Sequence, residues 1–339
     1  MFTARAQYSL GTRRSTRSPR PPLSPRAGRA ERRSIALSQN FLRNRVIAEA
    51  ILDRSTIGPE DVVYEIGPGE GTITQALAAR CGHVVAVEKD PALAMGLRRR
   101  CAALPNVTVF LADCLDFPLP VTRYKVFANV PFNVTAAIVA RLTGAAHAPE
   151  DAYLAVQHEA ALRYTGMPSE QGALGTQAVK RAGRGPENAP ETLVSVLLKP
   201  WFEPSIVHQF SRRDFVPQPG VDVVLLRLRK RGPPLLRPHE VSVFRDMVTH
   251  GFTAWQPSLR RAFAGIVSAR TEACLRNSTG LDLDVRPSAL PFESWLALFR
   301  CIQEDGGRAA LARLTGSAAH LRDQQAALQK SHRTRPPPR

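Results

Sequence analysis

Short apolar runs alternate with amphipathic stretches along the first half of the chain. Runs such as DVVYEIG (61–67) and HVVAVE (83–88) have the length and β-branched content of buried strands. GTITQALAAR (71–80) and PALAMGLRRRCAA (91–103) carry apolar residues at helical spacing. Strands separated by helices of this length predict an α/β fold with a parallel, doubly wound sheet.

The pattern changes in the second half of the chain. IVHQF (206–210) and VDVVLLRLR (221–229) predict a pair of strands around DFVPQPG. Past Pro238 the spacing becomes helical, in EVSVFRDMVTHGF, PSLRRAFAGIV and ESWLALFRCI. We therefore predict a small all-helical C-terminal domain over about 235–305, preceded by a larger domain over 35–234.

Charge divides the chain in a different way. The 339 residues carry a formal net charge of +17. Residues 1–34 hold nine arginines and one acid, and residues 308–339 hold seven basic residues and one acid. Both ends are rich in Arg, Ser and Pro or Gln, so we predict disordered basic tails over 1–34 and 306–339. An excess of positive charge indicates an acidic partner, with nucleic acid first.

Composition excludes several classes of protein. Hydrophobic residues make up 44% of the chain, which excludes disorder throughout, and no apolar run approaches the roughly 20 residues of a membrane helix. The five cysteines, widely spaced and without a CxxC pair, fit neither a disulfide framework nor a zinc site. We predict a cytoplasmic, reducing location, no metal and no membrane partner. Nothing in the sequence demands more than a monomer.

The glycine-rich segment EIGPGEG (65–71) joins the first predicted strand to a helix. Glycines at such a turn let the backbone approach a ligand closely, as in dinucleotide sites. The spacing here is GxGxG rather than GxGxxG, and Pro68 and Glu70 stand where a pyrophosphate would need bare amides. A cofactor without phosphate fits better, and we predict S-adenosylmethionine, with Gly67 as a contact.

Two acids end the next two predicted strands. Glu88 lies about 20 residues after Gly67, where an acid typically accepts hydrogen bonds from ribose hydroxyls. Asp113 ends the third strand and is a candidate acceptor for an adenine amine, although Asp116 competes for that role.

The segment Asn129-Val130-Pro131-Phe132 follows the fourth predicted strand, KVFANV. An exocyclic base amine is a poor nucleophile because its lone pair is delocalised into the ring. An amide oxygen and a nearby carbonyl can accept both of its N–H groups and favour tetrahedral nitrogen. Pro131 stiffens the turn, and Phe132 offers a flat face to a base that has left its helix. This chemistry needs no metal.

Two further segments have open interpretations. SQNFL (38–42) either caps the first helix, through Ser38 or Asn44, or folds over the methionine end of the cofactor. Phe215, in DFVP, is either a second aromatic wall for a flipped base or a turn aromatic packed in the core. The basic pair Arg260–Arg261 is a candidate phosphate contact in the helical domain.

These motifs, in this order, resemble those of the ribosomal RNA adenine N6-methyltransferases, and most closely the erythromycin-resistance (Erm) branch. The resemblance runs from SQNFL to about Ile302 and rests on SQNFL, EIGPGEG, VVAVEKD, LADCLDF, NVPFN, LKPWF and FVPQPGVDVVLLRL. It implies a Rossmann-like methyltransferase sheet and a helical RNA-binding domain. It also implies transfer of one or two methyls to an adenine N6 in 23S rRNA, naked or in an assembling large subunit, with resistance to macrolides, lincosamides and streptogramin B.

Site residues also follow from the resemblance. It implies catalytic roles for Asn129, Pro131 and Phe132, with Phe215 as a candidate second stacking residue. The implied cofactor contacts are Asn40, Leu42, Gly67, Glu88, Asp113 and Asn129.

Two alternatives stay open at this point. The first is the sister branch that dimethylates small-subunit rRNA, in which the NxPx motif usually carries Leu and Tyr where this chain has Val130 and Phe132. The second is a non-catalytic RNA-binding or transcription factor that keeps the methyltransferase fold, against which the intact glycine turn and Asn129 argue.

Overall fold

The computed structural model describes residues 40–166, 190–305 and 307–333. The tail predicted over 1–34 lies outside the described residues. The strands are β1 (Phe41–Leu42), β2 (Val62–Ile66), β3 (His83–Glu88), β4 (Val107–Leu111), β5 (Lys125–Asn129), β6 (Asp151–Gln157), β7 (Phe202–Gln209), β8 (Phe215–Val216) and β9 (Val223–Lys230).

The described helices fall into two groups, one interspersed with the strands and one that follows them. The first group is α1 (Arg45–Leu52), α2 (Thr72–Ala78), α3 (Pro91–Arg100), α4 (Thr135–Thr143), α5 (His158–Thr165) and α6 (Leu193–Leu198). The second group is α7 (Val241–Thr253), α8 (Leu259–Ala262), α9 (Ala269–Thr279), α10 (Phe292–Asp305), α11 (Gly307–Ala312) and α12 (Ser317–Arg333).

Seven strands form one sheet in the order β4-β3-β2-β5-β6-β9-β7. The strands from β4 to β6 in this order are parallel, and β9 and β7 add antiparallel at the far edge. The chain winds outward from β2 to β4 and then returns to β5 beside β2, so the strand order reverses at β2 and β5. Open sheets of this kind bind ligands at the carboxyl ends of the strands near such a reversal. The predicted doubly wound α/β sheet is confirmed.

Helices cover both faces of this sheet. On one face Ile51 of α1, Leu77 of α2 and Leu97 of α3 pack in the core, and on the other Ile138 of α4 and Ala161 of α5 are buried. Strands buried on both faces have continuous apolar runs, which is why β3 reads HVVAVE rather than alternating. This packing holds the strand ends in fixed positions.

The second group of helices encloses a hydrophobic core of its own. Phe244 and Met247 of α7 pack with Trp295 and Phe299 of α10, and Val196 of α6 joins them. The predicted all-helical C-terminal region is therefore present, although the exact boundaries at 235 and 305 stay a prediction.

The expectation about the C-terminal tail is wrong. The tail predicted as disordered from 306 is helical over α11 and α12 in the described part of the chain. Leu311 and Leu314 are buried in the helical core, and Asp246 accepts hydrogen bonds from the backbone N–H groups of Gly316 (3.0 Å) and Ala318 (2.9 Å). The charge and composition of this segment gave no sign that Leu311 and Leu314 are core residues.

The cysteine expectation also needs correction. Cys274 of α9 and Cys301 of α10 form a disulfide, with Cα atoms 5.9 Å apart. The two residues are 27 apart in the chain, and only the side-by-side packing of α9 and α10 brings them together. Cys81, Cys101 and Cys114 are free. Among the described residues, no helix is both long and apolar enough to cross a membrane.

Candidate functional site

The predicted polar residues meet at one edge of the sheet. Gly67 follows β2, Glu88 ends β3, Asp113 lies just past β4, and Asn129 ends β5. These four strands are neighbours and run parallel, so their carboxyl ends lie at the same edge. Residues separated by more than 60 positions are thereby placed in one row.

Three glycines of the turn after β2 have positive φ, and two of them, Gly67 and Gly69, show where the turn is open and where it is covered. Gly67 has φ of 63°, and a Cβ added there would meet no atom within 4 Å, so the space beside this turn is open. Gly69 has φ of 57°, and an added Cβ would lie 2.5 Å from Cε1 of Phe41. The turn is thus covered by the Phe41 ring at Gly69 and open at Gly67, which leaves room for a ligand beside the backbone.

Glu88 is tied to this turn. Its Oε2 accepts a hydrogen bond from the Gly69 N–H at 3.0 Å, and its Oε1 accepts from the Asp90 N–H at 2.9 Å. Each carboxylate oxygen has further acceptor capacity, so the fixed carboxylate can still accept from a pair of ribose hydroxyls.

Asp113 is held differently. Its Oδ2 accepts from Nζ of Lys89 at 2.8 Å, and its Oδ1 accepts from the Leu115 N–H at 3.0 Å. The hydrogen bond from Lys89 lowers the pKa of Asp113, so this side chain is ionised and acceptor-only at neutral pH. The competing Asp116 is exposed on the following turn. Asp113 is the acid that lies at the strand end.

Asn129 has one side-chain atom engaged. Its Nδ2 donates to the backbone carbonyl of Asn40 at 2.5 Å. No described residue donates a hydrogen bond to its Oδ1. The donor is therefore used to fix the amide, and the oxygen keeps its capacity to accept a hydrogen bond.

The two residues after Val130 begin the next helical segment. The Val130 N–H donates to the Ala155 carbonyl at 3.1 Å and Val130 is buried, so the turn is anchored to β6. Pro131 has φ of −58° and precedes a single 3-10 turn, Phe132–Val134. Phe132 is half-buried, one side of its ring packing on the core. Its remaining exposed surface is available for stacking.

The segment Asn40–Leu42 lies over the site because β1 pairs antiparallel with β8, Leu42 opposite Phe215. Leu42 is buried in the core, and its contact with cofactor stays a prediction. Asn44 accepts from the Ile47 N–H at 3.1 Å and caps α1, as one interpretation predicted; Ser38 lies outside the described residues.

The ring of Phe215 is not exposed at the sheet edge. Its side chain is 1% exposed and packs edge-on against Phe210, with ring centroids 5.1 Å apart. The structure therefore favours the packing interpretation of Phe215 over a second stacking wall.

Sequence reasoning assigned no role to Glu65, which is 1% exposed in β2. Neither carboxyl oxygen has a hydrogen-bond partner among the described residues. Burial raises the pKa of Glu65 to about 8, and the charge of Glu88 adds to the rise; the Thr74 hydroxyl offsets part of it without reaching hydrogen-bonding geometry. The signal in the sequence was one acid inside an otherwise apolar strand, VVYEI.

These features fit S-adenosylmethionine. A buried, unpartnered carboxyl beside a second carboxylate favours a cationic ligand, and this cofactor carries an ammonium and a sulfonium. Open space at Gly67, a fixed acceptor at Glu88 and another at Asp113 supply places for the turn, ribose and base contacts. Within the described ranges, no group of three or more His, Cys, Asp or Glu side chains is arranged to hold a metal ion.

Comparison with known proteins gives a family match over most of the chain. The profile of the family described as "Ribosomal RNA adenine dimethylase" matches residues 30–182 and 174–304. The motifs at the sheet edge and the helices α7, α8 and α9 lie within the matched residues, and the match ends one residue before the end of α10.

Individual relatives come from both branches of rRNA adenine methylation. The chain is 32% identical to an rRNA adenine N-6-methyltransferase of Saccharopolyspora erythraea, over 83% of this chain and 68% of the relative. It is also 32% identical to a ribosomal RNA small subunit methyltransferase A of Rubrobacter xylanophilus, over 83% of this chain and 98% of the relative. Among solved structures, the 23S rRNA methyltransferase ErmE matches with a TM-score of 0.67 and 29% identity, covering 78% of this chain and 100% of that chain.

Proposed function

The chain belongs to the ribosomal RNA adenine dimethylase family and is an S-adenosylmethionine-dependent rRNA adenine N6-methyltransferase, and we propose that its target is an adenine of 23S rRNA. We propose further that one or two methyl groups are added and that the mark confers resistance to macrolides, lincosamides and streptogramin B.

The observation that carries this proposal is the structural likeness to ErmE, a 23S rRNA methyltransferase, over the whole of that chain. The Asn-Val-Pro-Phe sequence at the end of β5 supports the same branch, because Val130 and Phe132 stand where the small-subunit branch usually has Leu and Tyr. Identity of 32% to a small-subunit methyltransferase favours the second candidate, dimethylation of small-subunit rRNA.

The residues at the sheet edge divide the work between binding and chemistry. Bound S-adenosylmethionine supplies a methyl group on a positively charged sulfur. Glu88 and Asp113 would accept hydrogen bonds and orient that cofactor, and Glu65, protonated in the unliganded protein, would lose its proton and balance the positive charge of the cofactor. Cofactor roles for Asn40 and the Leu42 main chain belong to the same proposal.

Asn129 acts on the base. Its Oδ1 accepts one N–H of the adenine N6 amine, and the Val130 carbonyl, to which no described residue donates a hydrogen bond, accepts the other. Accepting both hydrogens would draw the nitrogen lone pair out of conjugation, so that the nitrogen could bond to the methyl carbon as the sulfur–carbon bond breaks. S-adenosylhomocysteine would then leave, and one N6 proton would pass to water. The hydrogen bond from Nδ2 to Asn40 fixes the amide before substrate arrives, so little reorganisation is needed.

Pro131 and Phe132 shape the floor beneath the base. Pro131 restricts the turn, and the exposed side of Phe132 stacks on the flipped adenine. Phe215 has no part in stacking in this proposal, because its ring is buried.

Mapping of methyladenine on both ribosomal subunits tests the target. Purified protein is incubated with labelled S-adenosylmethionine and with separated 23S and 16S rRNA, and the modified position is mapped by primer extension. We expect label in 23S rRNA, and cells expressing the protein should gain macrolide resistance. Label confined to 16S rRNA would reject the 23S assignment in favour of the second candidate.

A further inference from the structure

The loop between α7 and α8, residues 254–258, presents an unusual aromatic side chain to solvent. Trp255 is 97% exposed, the highest value among the large hydrophobic side chains that the structure describes as exposed. An indole in water exposes a large apolar area, and burial of that area against a partner is favourable. The other two tryptophans, Trp201 and Trp295, lie half-buried and buried.

The backbone at Trp255 makes the choice of residue more telling. Its φ is 52°, and among the described residues it is the one non-glycine in the left-handed region. It directly follows Ala254, whose N–H donates to the His250 carbonyl at the end of α7. Helices commonly end with a left-handed residue here, and that residue is usually Gly or Asn. Ending the helix therefore does not explain a bulky aromatic residue at this position.

Both sides of the loop are fixed to the helical core. Leu259 is buried, and its N–H donates to the Val285 carbonyl at 2.9 Å. The Arg260 guanidinium pairs with Asp284 at 2.9 Å and also with Glu272. The indole is thus presented from an anchored loop, which lowers the entropy that a ligand must overcome on binding.

The charge around the loop favours an anionic partner. From 247 to 271 the chain holds three arginines and no Asp or Glu, and two acids that contact this segment, Asp284 and Glu272, pair with Arg260. Arg261 is exposed and forms no ion pair within the described ranges, whereas Arg260 is neutralised by its two acids. A guanidinium without an ion-pair partner among the described residues, six positions along the chain from an exposed aromatic ring, suits a nucleotide, with the phosphate on one and the base on the other.

We propose that Trp255 stacks on an unpaired base of the RNA substrate and that Arg261 contacts a neighbouring phosphate. This inference rests on the proposed function only in requiring an RNA substrate. It adds a second contact, on the helical region, to the flipped adenine at the sheet edge. The contact is tolerant of base identity because every base has an aromatic face.

Three variants and a control separate stacking from a role in folding. Trp255→Gly removes the ring and supplies the residue that the left-handed backbone prefers, so it should fold at least as well as wild type. Trp255→Phe keeps an aromatic face, and Arg261→Ala removes the free charge. Val121→Ala, at another highly exposed apolar residue, is the matched control.

Binding is measured with a single-stranded oligoribonucleotide and with a blunt RNA duplex, over a series of salt concentrations. We expect Trp255→Gly to weaken single-strand binding by about 5- to 100-fold, with Trp255→Phe close to wild type. Arg261→Ala should lower the salt slope by about one. Fluorescence that is present in wild type and absent from Trp255→Phe should be quenched by the single strand and little affected by the duplex.

Unchanged single-strand affinity of Trp255→Gly, or an unquenched Trp255, would overturn the inference. If the variant instead self-associated less at unchanged RNA affinity, the loop would be a protein contact and the inference would be equally wrong. Methyl mapping on both rRNAs keeps this result apart from the target assignment. A wild-type enzyme that labels only 16S rRNA would reject the 23S proposal, while a loss of affinity in Trp255→Gly would still support the stacking contact.

Discussion

The carboxyl edge of the sheet and the α7–α8 loop place their side chains in opposite environments. At the sheet edge, polar groups such as Glu65 and Glu88 are buried among apolar strands and held by backbone amides or left without a partner. At the loop, the apolar Trp255 is exposed while the residues around it are anchored. In each place a residue type occupies the environment that ordinarily disfavours it.

The two environments indicate different contributions to the reaction. Buried polar groups in a dry site interact strongly with a charged cofactor and with the reacting amine, so they control the rate of the chemical step. An exposed aromatic ring gains only when a partner covers it, so it controls affinity for the RNA. Substitutions at the sheet edge should therefore lower kcat, and substitutions at the loop should raise KM.

The largest effect is expected for Asn129→Ala. Loss of Oδ1 removes the acceptor that the amine needs in the transition state, so kcat should fall by about 10³-fold. Binding of S-adenosylhomocysteine, measured by calorimetry, should change by only a few-fold.

Asn133→Ala provides the matched control, since Asn133 is exposed four residues further along the same turn. It should retain nearly full activity. If Asn129→Ala instead lost its folded circular dichroism spectrum, the residue would have a structural role and the division between the two regions would fail.

Glu65→Gln should change the pH dependence of stability. The folded pKa near 8 lies above the ordinary value of 4.5, so the folded protein keeps a proton that the unfolded chain releases between these limits. The associated stability is fully present below about pH 4.5 and is lost as pH rises through about 8, at up to about 1.4 kcal/mol per pH unit.

Urea unfolding without cofactor, compared between wild type and Glu65→Gln at several pH values, measures this change. The glutamine variant should lose less stability between pH 5 and pH 8.5 than wild type. If the free energy of unfolding changed equally with pH in the two proteins, the raised pKa of Glu65 would not be the cause of the pH dependence.

Leu314→Ala tests whether the chain beyond 306 is part of the helical core. Because Leu314 is 1% exposed, truncation should leave a cavity and destabilise the helical region by about 2–3 kcal/mol. Thr315→Ala, at the exposed neighbour, should change stability little. Equal melting temperatures for the two variants would mean that Leu314 is not part of the helical core.

Phe132→Leu should have the smallest effect of the four. It keeps the buried packing of the ring position and removes most of the stacking surface, so kcat/KM should fall by about 10-fold, or 1–2 kcal/mol. Phe132→Tyr should remain close to wild type, because either ring can stack. Steady-state kinetics on the same rRNA would detect the difference, and a leucine variant as fast as wild type would argue against stacking there.

Much of the sheet and its polar edge could be predicted because the relevant signals are local. Gly67, Glu88 and Asn129 each follow an apolar run, and parallel strands bring their carboxyl ends together whatever the sequence distance between them. The family resemblance implied site roles for the same residues. The row of polar groups therefore followed from short segments read one at a time.

The remaining features depend on packing between distant segments. Cys274 and Cys301 meet only because α9 lies against α10, and Leu314 is recognisable as core only once that core exists. Phe215 is buried because β8 pairs with β1, a ladder of two residues that no periodicity can indicate. The hydrogen bond between Asn129 and Asn40 likewise joins residues far apart in the chain.

The central claim is that Asn129 at the end of β5 brings an adenine amine and the methyl donor together. Its most direct test is the position of label in rRNA after reaction with methyl-labelled S-adenosylmethionine, determined by nucleoside mass spectrometry for wild type and Asn129→Ala side by side. The account predicts N6-methyladenosine or N6,N6-dimethyladenosine from wild type and almost none from the variant that still binds cofactor. Label on a different atom, or equal yields of methylated adenosine from both proteins, would contradict it.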